Sequence, residues 1–154
     1  MAEDRPYKLY KITNGIVIDH IPRFKALEVI RVLGVDKDHD SIVSIGTNFS
    51  SGKMGSKDVV KIENKVLTKE ELNKIAIIAP TATISWIENT LIAKKHMVEL
   101  PSVLKGIAHC ANPNCITRHE DVKTIFYPIK EGDSLKLRCH YCERTFDRDD
   151  IEIR

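Results

Sequence analysis

Cys110-Ala111-Asn112-Pro113-Asn114-Cys115 and Cys139-His140-Tyr141-Cys142 hold every cysteine of the chain, with 23 residues between Cys115 and Cys139. A C-x4-C pair and a C-x2-C pair brought together across a loop offer four thiolates to one tetrahedral Zn²⁺. A site filled by four thiolates has no position open for water, so one such zinc per chain builds structure and does no chemistry. Disulfides or free core thiols are the other readings of the same four residues. The whole cluster sits in residues 102–154, a segment too short to bury much core of its own, which gives the metal a folding role there. The boundary falls at Leu100-Pro101-Ser102 and divides the chain into 1–101 and 102–154.

Charge and composition exclude several partners. Lys and Arg number 24 against 22 Asp and Glu, and a net charge of +2 exerts no strong pull on nucleic acid or a membrane surface. Within 102–154 nine Lys/Arg meet nine Asp/Glu, so a zinc-ribbon nucleic-acid binder, the alternative reading of the tail, lacks the basic excess that phosphate contacts need. No apolar run approaches the length of a membrane span, and the start of the sequence carries no signal-peptide pattern. Together with metal-bound thiolates, this points to a reducing cytoplasm.

The first hundred residues alternate strand and helix patterns. Gly15-Ile16-Val17-Ile18-Asp19-His20 reads as a buried strand, with Asn14-Gly15 as a hairpin-type turn and residues 7–12 as its antiparallel partner. Pro22 suits the first turn of a helix whose apolar stripe is Ala26, Val29, Ile30 and Leu33, closed by Gly34. Residues 41–48 and 57–62 read as strands joined by a surface loop over 49–56. Thr68-Lys69-Glu70-Glu71 is a capping box, followed by an apolar face at Leu72, Ile75, Ala76 and Ala79. Ala82, Ile84 and Trp86 alternate with Thr83, Ser85 and Ile87, and a turn at Glu88-Asn89 leads into Leu91-Ile92-Ala93. The order strand, helix, strand, strand, helix, strand predicts an α+β chain: a ferredoxin-like sandwich, an antiparallel sheet with two helices, ahead of a small β-rich zinc domain.

No catalytic apparatus is legible. Gly52-Lys53 fails as a P-loop, because Gly46 stands one position too far from Gly52 and Met54 follows the lysine. No G-x-S-x-G, H-E-x-x-H or Gly-rich dinucleotide fingerprint occurs. His20 beside Asp19 is either a strand end turning to solvent or a ligand contact, and Lys94-Lys95 either a solvated edge or an anion site. His109, His119 and His140 flank the cysteines as exposed or supporting groups, since four thiolates already complete a site.

Gly15-Ile16-Val17-Ile18-Asp19-His20-Ile21-Pro22, Ser51-Gly52-Lys53-Met54-Gly55-Ser56-Lys57-Asp58, Lys61-Ile62-Glu63-Asn64 and Ala79-Pro80-Thr81-Ala82-Thr83, in order ahead of the two cysteine pairs, carry a resemblance. Over essentially its full length the sequence resembles the regulatory chain of aspartate carbamoyltransferase. The resemblance implies a noncatalytic subunit in pyrimidine biosynthesis, with an N-terminal domain that binds nucleotide triphosphate effectors and pairs with a second regulatory chain. It further implies a zinc domain docked on a catalytic chain, within a dodecamer of catalytic trimers and regulatory dimers.

The same resemblance assigns an effector site. Asp19 and His20 match ribose- and phosphate-side residues, Lys61 a sugar- and base-side lysine, and Lys95 the main phosphate lysine. Ile12, Val17 and Ile92 match apolar positions, and Ser85 stands where the family has an asparagine. Tyr10, Lys11 and Thr90 also depart from the best-known family sequences, which bears on the ranking of pyrimidine against purine effectors. Lysines supply point charges for a triphosphate, and a carboxylate at Asp19 accepts from ribose hydroxyls.

Overall fold

Alternation along the N-terminal strands sends Ile16, Ile18, Val60, Ile62 and Ile84 to one face and leaves Asp19, Lys61 and Ser85, with Val17, on the other. In a computed structural model that describes residues 9–132 and 134–154, the elements run β1 (Gly15–Ile21), α1 (Ala26–Val32), β2 (Val43–Ser51), β3 (Gly55–Glu63), α2 (Lys69–Ile78), β4 (Thr83–Glu88) and β5 (Leu91–Met97). They form one antiparallel sheet in the order β2-β3-β1-β4-β5. The first four strands have the ferredoxin-like order, and β5 is added outside β4 by a hairpin.

Ile16 pairs with Ile62 and Ile18 with both Val60 and Ile84, and all five are buried. Val29 and Ile30 of α1 and Ile75 and Ile78 of α2 join them in one apolar cluster. The capping box forms as expected: Thr68 accepts from the Glu71 N–H at 3.1 Å, and the Glu71 carboxylate accepts from the Thr68 N–H at 3.1 Å.

Five local expectations need correction. Residues 9–12 form no strand, because β1 is already flanked by β3 and β4; positions 7 and 8 lie outside the described residues. Gly15 therefore opens β1 rather than a hairpin turn; at its φ of +143° any Cβ would run into the Ile62 carbonyl, so the position takes glycine. Helix α1 starts at Ala26, not at Pro22, whose carbonyl instead accepts from the Lys25 N–H in a turn. The expected loop over 49–56 is mostly strand, since β2 and β3 pair as far as Ser51 and Gly55. The β4–β5 turn falls at Asn89-Thr90, both left-handed, as a two-residue hairpin turn requires.

The C-terminal part is a second antiparallel sheet, β6 (Leu104–Lys105), β7 (Ile125–Glu131), β8 (Ser134–Cys139) and β9 (Thr145–Asp147), in sequential order. Its interior is small: Leu104, Phe126, Leu135 and Leu137, with Ile151 and Ile153 from the tail. These residues belong to the same contiguous apolar cluster as the N-terminal sheet. Among the described residues no helix is long and apolar enough to cross a membrane.

Candidate metal centre and cleft

Two loops converge on the cysteines. Cys110 and Cys115 enclose a tight turn in which the Asn112 side chain accepts from the Asn114 N–H at 3.0 Å and its carbonyl from the Cys115 N–H at 3.0 Å. Cys139 ends β8 and Cys142 follows in the next turn, where Glu143 adopts a left-handed φ and donates to the Cys139 carbonyl at 3.0 Å. All four Sγ atoms lie within 4.8 Å of one another. Cys110 and Cys142 approach to 3.7 Å, and Cys115 and Cys139 to 3.8 Å. A Zn–S bond of about 2.3 Å gives a tetrahedral S···S edge of about 3.8 Å, so the donor set fits a tetrathiolate metal. These spacings are far longer than a disulfide bond of about 2.05 Å, which sets the disulfide reading aside.

Electrostatics around the sulfurs are uneven. Burial pushes the Cys110 and Cys139 thiols above their ordinary value. Burial also pushes Cys115 up, but the Thr117 hydroxyl at 3.2 Å, the Thr117 backbone and the neighbouring thiols outweigh it and bring Cys115 down to about 7. The three histidines near the site are engaged away from the sulfurs. His119 bonds the Pro113 carbonyl at 2.7 Å, His140 meets the Tyr127 hydroxyl at 2.8 Å, and His109 accepts from Arg154 at 3.2 Å. They support the loops and do not compete as ligands.

The second site lies on the sheet face that the helices leave open. Register places Val17 opposite Lys61 on one side and Ser85 on the other, and Ser85 opposite Lys95. Lys61, Val17, Ser85 and Lys95 thus form a row across four strands, with an ammonium at each end. They line a cleft of about 390 Å³ that also takes in Ile12, Asp19 and Ile92. A β-bulge makes this possible. Trp86 pairs with Lys94 and Ile87 with Ile92, so Ala93 is the extra residue, and Ile92 and Lys95 reach one face although three positions apart.

His20 is the one expected site residue that does not line the cleft. It occupies a left-handed bulge at the end of β1, with its ring nitrogen 3.9 Å from Asp19 and its buried Nδ1 without a hydrogen-bond partner. Lys94, the other lysine of the Lys94-Lys95 pair, points to the other face, as the next residue on a strand must. Its ammonium sits 5.0 Å over the Trp86 ring, beside the Ile84 face.

Lys11 and Thr90, departures from the best-known family sequences at this site, complete the lining together with Val59 and Ile87, which the sequence does not single out. Lys57 holds Asp19 in an ion pair of 2.8 Å, which no local motif announced; only strand pairing brings the two together. Burial pushes the Asp19 carboxyl up, but the Lys57 hydrogen bond and the His20 N–H at 2.6 Å overcome it and hold the carboxyl below its ordinary value. Burial and the neighbouring Lys11 charge lower the Lys61 ammonium, against the pull of Asp19. With Asp19 already paired, Lys11, Lys61 and Lys95 leave the cleft electropositive, suited to an anion with an apolar portion.

Comparison with known proteins gives matches over both parts. Residues 7–99 match the family model described as "Aspartate carbamoyltransferase regulatory chain, allosteric domain", and residues 102–152 that described as "Aspartate carbamoyltransferase regulatory chain, metal binding domain". The chain is 50% identical over 145 residues to the aspartate carbamoyltransferase regulatory chain of Pyrococcus horikoshii, covering 94% of this chain and 95% of the relative. It is 48% identical over 145 residues to that of Pyrococcus furiosus, again covering 94% of this chain and 95% of the relative. With that of Thermoplasma volcanium it shares 47% over 149 residues, or 97% and 98% of the two chains. Nothing in these matches supports a nucleic-acid-binding ribbon.

Proposed function

The chain belongs to the aspartate carbamoyltransferase regulatory chains, and from that membership we propose that its cleft binds a nucleotide triphosphate and its four thiolates hold one structural zinc ion. It is a noncatalytic, allosteric subunit whose partner is the catalytic chain of the enzyme. The row of Lys61, Val17, Ser85 and Lys95 is the observation that carries the nucleotide reading. It offers a narrow apolar floor for a base or sugar between two ammonium groups. In this reading Lys95 takes the phosphates, and the phosphate-side role of His20, which lies outside the cleft lining, rests on the family resemblance alone. Asp19 accepts from ribose hydroxyls, Lys61 serves the sugar and base side, and Ile12, Val17, Ser85 and Ile92 surround the base.

Zinc fits the donor set because four soft thiolates at tetrahedral spacing suit it and leave no open position. When bound it supplies a cross-link and no reactivity. Cys110, Cys115, Cys139 and Cys142 each give one ligand, and Thr117 orients Cys115. The functional division is 1–101 for effector binding and 102–154 for contact with the catalytic chain. Two regulatory chains pair, and such dimers join catalytic trimers into a dodecamer that works in the cytoplasm.

Titration calorimetry of this chain with nucleoside triphosphates tests the cleft. A charge-assisted phosphate contact contributes about 1.5–3 kcal/mol, so Lys95→Ala is expected to weaken binding about ten- to a hundredfold. Unchanged affinity in that variant removes the assignment.

A further inference from the structure

We propose that helix α1 is the member through which occupancy of the cleft reaches the metal domain, a reading that rests on the nucleotide function assigned to the cleft above. The helix is pinned at both sides by polar contacts that no local packing demands. Its first residue is held by Asp58 of β3, a fully buried carboxylate. One oxygen of Asp58 accepts from the Ala26 N–H at 3.0 Å, the other from the Asn48 N–H at 2.9 Å. Asp58 therefore sits where the start of α1 meets two irregularities of the sheet, the left-handed His20 in β1 and the left-handed Asn48 in β2. Its chain neighbour Lys57 makes the 2.8 Å ion pair with Asp19, the one carboxylate among the described residues of the cleft. The residue that anchors α1 and the residue that anchors Asp19 are thus consecutive on one strand, on opposite faces. A ligand that pulls Asp19 or competes for it shifts Lys57, and Asp58 moves with the same backbone.

On its other side α1 is tied to the metal domain. Lys25, just before the helix, reaches Asp149 at 2.9 Å, and Arg31 in its last turn donates to the Ile153 carbonyl at 3.3 Å. Ile153 is buried and bridges to Ala108, two residues before the metal ligand Cys110. The Lys25 ammonium, first by hydrogen bond, holds the Asp149 carboxyl below its ordinary value. Asp149 is more than half exposed, so this pair adds little to stability and serves better as a small bias on how the helix seats. A coupling that has to be tuned by nucleotide binding calls for terms of this size.

The test uses the complex with the catalytic chain. Its readout is the ratio of aspartate half-saturation with and without saturating triphosphate, beside calorimetric nucleotide affinity. Lys25→Glu and Asp149→Lys, each alone, are expected to keep the affinity within about twofold and to reduce the effector response about two- to fivefold, the scale of one exposed ion pair. The double exchange, Lys25→Glu with Asp149→Lys, restores the cross pair while leaving each new charge beside its like-charged local neighbour, Glu28 or Arg148. Recovery of the response in the double variant therefore reports the tie itself. Lys25→Gln, which inserts no anion, should lose response as Lys25→Glu does. Single variants that respond like the wild type, or a double no better than the singles, overturn the proposal while the nucleotide reading stands. A wild-type chain that binds no triphosphate overturns both.

Discussion

Lys95 and Asp19 are the two cleft residues whose behaviour follows most directly from what surrounds them. Among the described residues that line the cleft Asp19 is the one carboxylate, and Lys57 already pairs it, so loss of Lys95 should appear almost wholly in ligand binding and hardly in stability. Asp19 is different, because its carboxyl is held below its ordinary value by Lys57 and the His20 N–H against the penalty of burial. A depressed folded-state pKa contributes stability that is complete above the unfolded value of about 3.9 and is lost as pH falls through the folded one. Asp19→Asn should therefore be less stable than the wild type at neutral pH, with the difference closing below about pH 4. Trp86 is the sole tryptophan and lies in β4, so denaturant unfolding followed by its fluorescence reads the N-terminal domain alone. Curves that stay equally separated at pH 3 and pH 7 would contradict the ion pair.

At the scale of elements, what was legible in the sequence and what was not divides along one line. The apolar alternation of β1 and β4, the capping box and the cysteine spacing are local and formed as expected, whereas residues 9–12 form no strand, α1 starts after Pro22 and 49–56 is mostly strand. The bulges at His20, Asn48 and Ala93 are not local: they exist because neighbouring strands run out of step, and alternation within one strand does not reveal that. For the same reason only the family resemblance joins Ile92 and Lys95 in one site, and the sequence does not show that Lys94 and Lys95 part to opposite faces. The Lys57–Asp19 pair is invisible in the sequence because its members stand 38 positions apart. Deleting Ala93 should make the consequence measurable, since a β5 without its bulge cannot present both Ile92 and Lys95 to the cleft. Nucleotide affinity is expected to fall at least as far as in Lys95→Ala, with Trp86 fluorescence showing a folded domain. On α2, Thr68→Ala removes one half of the capping box and should cost about 1 kcal/mol in denaturant unfolding, without touching nucleotide affinity.

For the molecule as a whole, the balance between metal and core decides the architecture. Residues 102–154 bury a handful of large side chains, whereas zinc bound by a peptide-sized thiolate site contributes about 10–16 kcal/mol, more than so small a core supplies. Cys139→Ser should accordingly leave that region unfolded and lower the bound metal below one per chain. Because the two sheets share one contiguous cluster, with Ile151 and Ile153 in it, the N-terminal domain should persist without metal but with a lower unfolding midpoint. In the proposed division of the chain, the surface that meets the catalytic chain would then exist only in the metal-bound form, and allosteric control would require both sites in one body. The decisive measurement is the size and effector response of the complex between this chain and a catalytic chain, before and after metal is removed with a mercurial and a chelator. The account predicts release of free catalytic chains that stay active but ignore nucleotide, beside regulatory chains that still bind it. A metal-free complex that remains assembled and nucleotide-responsive would contradict it.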